Sequence, residues 1–137
     1  MKVFIDSDVL LDFFFDRQPF SVHSRELLNL CEKGTIQGVV TPLVLSNVHY
    51  LLRQKNNNET AMKCIQYLVD QLDVLSMNKA TVLAGLHSGF KDFEDSLQYG
   101  AVINDSTVSG IITRNLKDYK KSRVAVHTPV GFLAILR

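Results

Sequence analysis

The sequence has 137 residues and a formal net charge of +1, with 46% hydrophobic and 21% charged residues. That length suits one domain spanning residues 1–137, burying roughly two thirds of its unfolded surface, and the composition excludes disordered and collagen-like chains. Without a global excess of positive charge, any contact with nucleic acid has to be local. Cys31 and Cys64 form no C-x-x-C motif, so two reduced thiols in a cytosolic setting are expected rather than a disulfide. Lys2 and Asp6 fall too early for a secretion signal, and no apolar run approaches the roughly 18 residues of a membrane span. A soluble cytoplasmic protein with no membrane partner is the expectation.

Lys2 to Ile5 is a short strand-forming run that ends on Asp6. Val9, Leu10, Phe13 and Phe14 then recur at helical spacing until Pro19 breaks the pattern. Ser21 is expected to cap a second helix, with Leu27 and Leu28 on its apolar side and Gly34 as its stop. Gly38 to Thr41 reads as a second strand. Thr41-Pro42 then opens a helix, with a hydroxyl cap followed by proline at the first helical position. Asn58 is expected to cap a helix running through Val69, and Leu72 to Met77 reads as a third strand. Asn78 caps a helix from Lys79 to His87, and a further helix covers Phe93 to Ile103. Ser109 to Thr113 and Arg123 to His127 read as strands four and five, and Pro129 to Leu136 as a closing helix. Short strands alternating with helices predict an α/β fold, a three-layer sandwich around a central parallel sheet of four or five strands.

Open α/β sheets bind ligands beyond the carboxyl ends of their strands. The first strand ends on Asp6-Ser7-Asp8, and the second feeds a helix carrying Ser46 and Asn47. The fourth ends on Thr113-Arg114-Asn115, with Asp118 close behind, and the preceding helix opens with Asp92, Glu94 and Asp95. Carboxylates gathered at one edge repel each other, which a cation relieves. Oxygen donors favour Mg²⁺ or Mn²⁺ over zinc, and none of His23, His49, His87 and His127 has metal-ligand spacing. Metal-assisted phosphodiester hydrolysis is the reaction class such a set suits. Each cluster also has a plainer explanation. Acids stabilise the first turn of a helix through its dipole, Asp6 to Asp8 can form a turn and cap, and Asp118 can be a loop acid. Asp12 and Asp16 read as solvated residues on or just after the first helix.

The run Val3-Phe4-Ile5-Asp6-Ser7-Asp8-Val9-Leu10-Leu11-Asp12 resembles the opening motif of the PIN domain, the nuclease fold of VapC-type toxins and RNA-processing factors. Phe93-Glu94-Asp95-Ser96-Leu97-Gln98-Tyr99 and Ile111-Ile112-Thr113-Arg114-Asn115-Leu116-Lys117-Asp118-Tyr119 are similar to its third and fourth motifs. The resemblance implies an endoribonuclease whose catalytic set is Asp6, Asp95 and Asp118 with Asn115, the three aspartates holding Mg²⁺ or Mn²⁺. Ser7, Asp8, Glu94 and Thr113 would support them. It also implies an RNA substrate, a toxin–antitoxin setting with an antitoxin protein partner, and a homodimer. Asn47 stands where the family carries its second acid, a neutral amide in place of a charge. That departure opens an alternative, a catalytically weak or inactive module that binds RNA or a protein. Arg114, Lys117, Lys120, Lys121 and Arg123 cluster around Asp118 as candidate RNA phosphate contacts. The aspartates of Asp6-Ser7-Asp8 also fit the D-x-D opening of haloacid-dehalogenase-like phosphatases, but Lys117-Asp118 is a poor version of that family's later motif and no G-D-x-x-x-D follows.

Overall fold

A computed structural model describes residues 1–137. Five parallel strands form one sheet in the order β3-β2-β1-β4-β5, with β1 at Lys2–Ile5, β2 at Gln37–Val40, β3 at Asp73–Val74, β4 at Val108–Ile112 and β5 at Ala125–His127. Helices α1 (Ser7–Phe14) and α2 (Ser21–Glu32) connect β1 to β2. Helices α3 (Pro42–Lys55) and α4 (Asn58–Gln71) connect β2 to β3, and α5 (Lys79–Leu86) and α6 (Phe93–Ile103) carry the chain back to β4. A single 3₁₀ turn at Leu116–Tyr119 leads to β5, and α7 (Pro129–Leu136) closes the chain. This is the α/β sandwich with a five-stranded parallel sheet that the alternating pattern predicts.

Helices α1 to α4 and α7 pack on one another, while α5 packs on α6. Right-handed crossovers place these two groups on opposite faces of the sheet. Both faces are therefore covered, and the central strands are continuously apolar: Val3, Phe4, Ile5, Val39, Val40, Ile111 and Ile112 are fully buried. The α5–α6 contact depends on two glycines. A methyl group on Gly100 would run into the Thr81 carbonyl oxygen, and one on Gly85 would come within 2.8 Å of the Ser96 carbonyl oxygen.

Several sequence expectations shift by local chemistry. Ser21 does not cap α2; it is buried in the first turn and its hydroxyl donates to Asp16 Oδ1 at 2.7 Å. Asn57, one residue earlier than expected, caps α4 by accepting from the Thr60 N–H at 2.8 Å. The third strand shrinks to Asp73–Val74 because it lies at the sheet edge, with β2 as its only neighbour. Thr41 caps α3 as expected, accepting from the Val44 N–H at 3.1 Å with Pro42 in the first turn. No helix is long and apolar enough to cross a membrane, and both cysteines are free thiols.

Candidate active site

The crossovers from β1 run toward β2 and β3, and the chain then returns to β4 on the other side of β1. This reversal makes the carboxyl end of the β1–β4 pair the topological switch point, where such sheets form their ligand crevice. Register sets what stands there. Ile5 pairs with Ile112, and the Asp6 N–H donates to the Ile112 carbonyl at 3.0 Å, so Asp6 and Thr113 leave their strands side by side. Asp6 caps α1, its Oδ1 accepting from the Ser7 N–H at 2.8 Å. The Thr113 hydroxyl lies 3.0 Å from Asp6 Oδ2 and 3.5 Å from Asp8 Oδ2, and it accepts from the Asn115 N–H at 3.0 Å. Asp8 Oδ2 accepts from the Arg114 N–H at 3.2 Å, while its Oδ1 is buried without a partner.

The other acids arrive on neighbouring elements. Asp92 caps α6 by accepting from the Asp95 N–H at 2.9 Å, which fixes Glu94 and Asp95 in the first turn. The Asn47 amide on α3 donates to Glu94 Oε1 at 2.5 Å, so the position that lacks a charge in the sequence meets one supplied by α6. Asn115 Nδ2 donates to Asp118 Oδ2, holding that carboxylate in the 3₁₀ turn. Beneath them the buried Tyr119 has a hydroxyl with no hydrogen-bond partner.

The carboxylates share one electrostatic environment. Burial lifts the Asp6 carboxyl to about 6, and the charge of Asp8 adds to it against the hydrogen bonds from Ser7 and Thr113. Burial also lifts Asp95 to about 7, with further contributions from Asp92, Asp118, Asp6 and Glu94. Burial raises Asp8 as well, opposed chiefly by Arg114. Tyr119 is raised by burial and by the charges of Asp6 and Asp95. No lysine, arginine or histidine forms an ion pair with Asp6, Asp8, Asp92, Glu94, Asp95 or Asp118. Although Asp6, Asp95 and Asp118 lie within one another's field, no three acidic, histidine or cysteine side chains stand close enough to hold a metal ion together.

A cleft of about 190 Å³ opens over Asp92, Asp95 and Asp118, with Lys117, Lys120, Lys121 and Lys91 around it. The first three lysines are ones the sequence singles out; Lys91 is an addition. Lys121 Nζ donates to the Gly89 carbonyl at 3.0 Å. Arg114 is differently engaged. Its Nε and Nη2 donate to Asp12 Oδ2 and Oδ1 at 2.6 and 3.0 Å, and its guanidinium stands 4.0 Å from the Phe20 ring centroid. This corrects the expectation for Asp12, which is fully buried rather than solvated and has Arg17 at 3.5 Å as a second counter-charge. Within the apolar run Val9 to Phe15 a buried acid needs a partner, but the arginine that provides it lies 102 residues away. A larger cleft, about 580 Å³, reaches the amino-terminal ends of β1 and β4. There Lys2 pairs with Asp105 at 2.8 Å and helps hold that carboxyl down at about 2, and Asp73 lines the same cleft.

A family model described as "PIN domain" matches residues 2–117. Ribonuclease VapC1 from Aquifex aeolicus is 26% identical over 136 residues, covering 96% of this chain and 92% of that protein. Among solved structures, VapBC2 from Rickettsia felis bound to a promoter DNA fragment matches with a TM-score of 0.71 at 12% identity, over 93% of this chain and 98% of that one. A toxin–antitoxin complex from Klebsiella pneumoniae matches with a TM-score of 0.69 at 16% identity, over 93% and 97%.

Proposed function

The chain belongs to the PIN-domain family, and we propose that it is a divalent-metal-dependent endoribonuclease of the VapC toxin type. The observation that carries this reading is the set of carboxylates at the β1–β4 switch point that no side chain neutralises although Asp6 and Asp95 are raised by burial and mutual repulsion. A VapC ribonuclease aligned over nearly the whole chain supports the same substrate class.

The donor chemistry fits Mg²⁺ or Mn²⁺. The groups are all oxygens, they carry excess negative charge, and Asp8 Oδ1 is buried with no partner. Asp6, Asp95 and Asp118 would hold the cation, with Asp8 and Glu94 adding charge nearby. The chemistry such a cation supplies when bound is neutralisation of the carboxylates and activation of water toward a phosphodiester. The chain's own residues do the positioning. The Ser7 N–H and the Thr113 hydroxyl orient Asp6, Asn115 orients Asp118, and Asn47 orients Glu94. Lys91, Lys117, Lys120 and Lys121 flank the cleft and would meet the RNA backbone, giving salt-dependent binding.

Relatives solved as toxin–antitoxin complexes support an antitoxin partner. The decisive experiment is cleavage of a single-stranded RNA by the purified chain in Mg²⁺ or Mn²⁺. Asp6→Asn and EDTA should each abolish it while the circular dichroism spectrum stays unchanged. Cleavage that survives both excludes this mechanism. A catalytically weak binding module is the reading favoured instead if the wild-type chain binds RNA but does not cut it. The neutral amide of Asn47, where the family carries its second acid, is the feature that motivates that second reading.

A further inference from the structure

One cavity beside the carboxylates is not used by the chemistry above. Its floor is the contact between Arg114 and Phe20, with the guanidinium 4.0 Å from the ring centroid, and His23, Thr128, Pro129 and Val130 complete the lining. Its volume is about 370 Å³, within the roughly 300–1,000 Å³ of ligand pockets. It lies over the carboxyl ends of β4 and β5, on the same sheet edge as the acids. Only one peptide unit separates it from them, because the N–H of Arg114 itself donates to Asp8 Oδ2 at 3.2 Å.

We propose that this cavity is a nucleobase subsite, which takes one unstacked base of a single-stranded RNA against the Arg114–Phe20 contact. The inference rests on the ribonuclease reading and names how that enzyme would select where it cuts. Three observations favour a base over a phosphate. The Arg114 charge is already matched by the buried carboxylate of Asp12, through two hydrogen bonds at 2.6 and 3.0 Å, which weakens its pull on a second anion. The guanidinium is planar and its hydrogen bonds to Asp12 run in that plane, so they do not compete for its faces with a stacked group, and RNA-binding proteins stack splayed bases on aromatic rings and arginine planes. The walls are largely apolar, from Phe20, Pro129 and Val130, while His23 and Thr128 can meet the polar edge of a base. A base held here, one residue from Asp8, would fix the register of the chain across the carboxylates.

The test is fluorescence anisotropy with a short fluorescein-labelled single-stranded RNA of mixed sequence, in Ca²⁺, together with a series in which one base at a time is removed. Phe20→Ala removes the aromatic floor, and Val130→Trp fills the cavity from a side chain that is 55% exposed and so tolerates bulk. Each should weaken binding at least about fivefold, the lower end of the range for a stacked base. One abasic position should reproduce that loss in the wild type and add nothing in Val130→Trp. Phe20→Leu, which keeps apolar bulk without a ring, guards against a folding artefact and should lie between wild type and alanine. Full affinity in all the variants, with RNA still bound and cut by the wild type, overturns the subsite and leaves the ribonuclease reading standing. A wild-type chain that neither binds nor cuts RNA overturns both.

Discussion

Asp6 offers the sharpest energetic test. Its carboxyl rises from 3.8 to about 6 in the folded chain, chiefly through burial and secondarily through Asp8. A carboxyl whose pKa rises on folding keeps its proton more tightly in the folded state. Asp6 therefore costs the metal-free protein nothing below about pH 4, an increasing amount as pH climbs through about 6, and a constant amount above that. At 1.36 kcal/mol per pKa unit that penalty is on the order of 2–3 kcal/mol. Asp6→Asn removes the ionisation and keeps the shape. Asparagine caps helices as well as aspartate does, and the Thr113 hydroxyl can turn its proton to Asp8 Oδ2 and accept from the new amide. In EDTA at about pH 8 the variant should be about 2–3 kcal/mol more stable than the wild type, a rise in Tm of roughly 5–15 °C. Below about pH 4 the two should melt together. Thermal unfolding followed by circular dichroism across this range measures it. A variant that is no more stable at high pH, or whose advantage is independent of pH, refutes the claim that this carboxylate is stored as an uncompensated charge.

Arg114→Ala should cost about 3 kcal/mol in denaturant unfolding, because it leaves the fully buried Asp12 with only the more distant Arg17. Adding Asp12→Asn should recover most of that loss, and failure to recover it would mean the cost lies in lost packing on Phe20. Gly100→Ala should destabilise by about 2 kcal/mol or more, since its methyl group meets the backbone of Thr81 rather than a movable side chain; an unchanged Tm would contradict the close α5–α6 approach. Asn47→Glu sets a carboxylate against Glu94, and should lower the metal-free Tm while tightening Mg²⁺ binding by calorimetry. Unaltered Mg²⁺ affinity would place this corner outside the cation site.

Where local chemistry decides an element, the sequence reads it well. The helix Pro129–Leu136 falls within its expected bounds because Thr128 caps it and Pro129 opens it. The helix Phe93–Ile103 does so because Asp92 caps it. Elements decided by neighbours are less legible. The edge strand Asp73–Val74 has one partner and stays short, and the 3₁₀ turn Leu116–Tyr119 has no periodic signature in the sequence. The same division runs through the site. Asp6, Thr113 and Asp95 are marked by their positions at strand and helix ends. The pairings of Asp12 with Arg114 and of Asn47 with Glu94 join residues far apart in sequence, and no local spacing announces them.

The fold treats its acids in two ways, and the contrast bears on function. Asp12 is fully buried and matched within the chain by a two-bonded arginine and by Arg17. Asp6 and Asp95 form no ion pair, although four lysines border the cleft that Asp95 lines. Charge that matters only to stability is neutralised internally when a cation is within reach, because an unmatched buried carboxylate costs more than a matched one. Here the nearest arginine is instead committed to Asp12 and Phe20, while its backbone N–H reaches Asp8. The arrangement ties the loop after β4 to Asp8 and Asp12 through Arg114 and leaves the repulsion among the remaining carboxylates unrelieved within the chain. On the ribonuclease reading proposed above, a divalent cation is what would relieve that repulsion, and the same arginine lines an apolar cavity beside the acids.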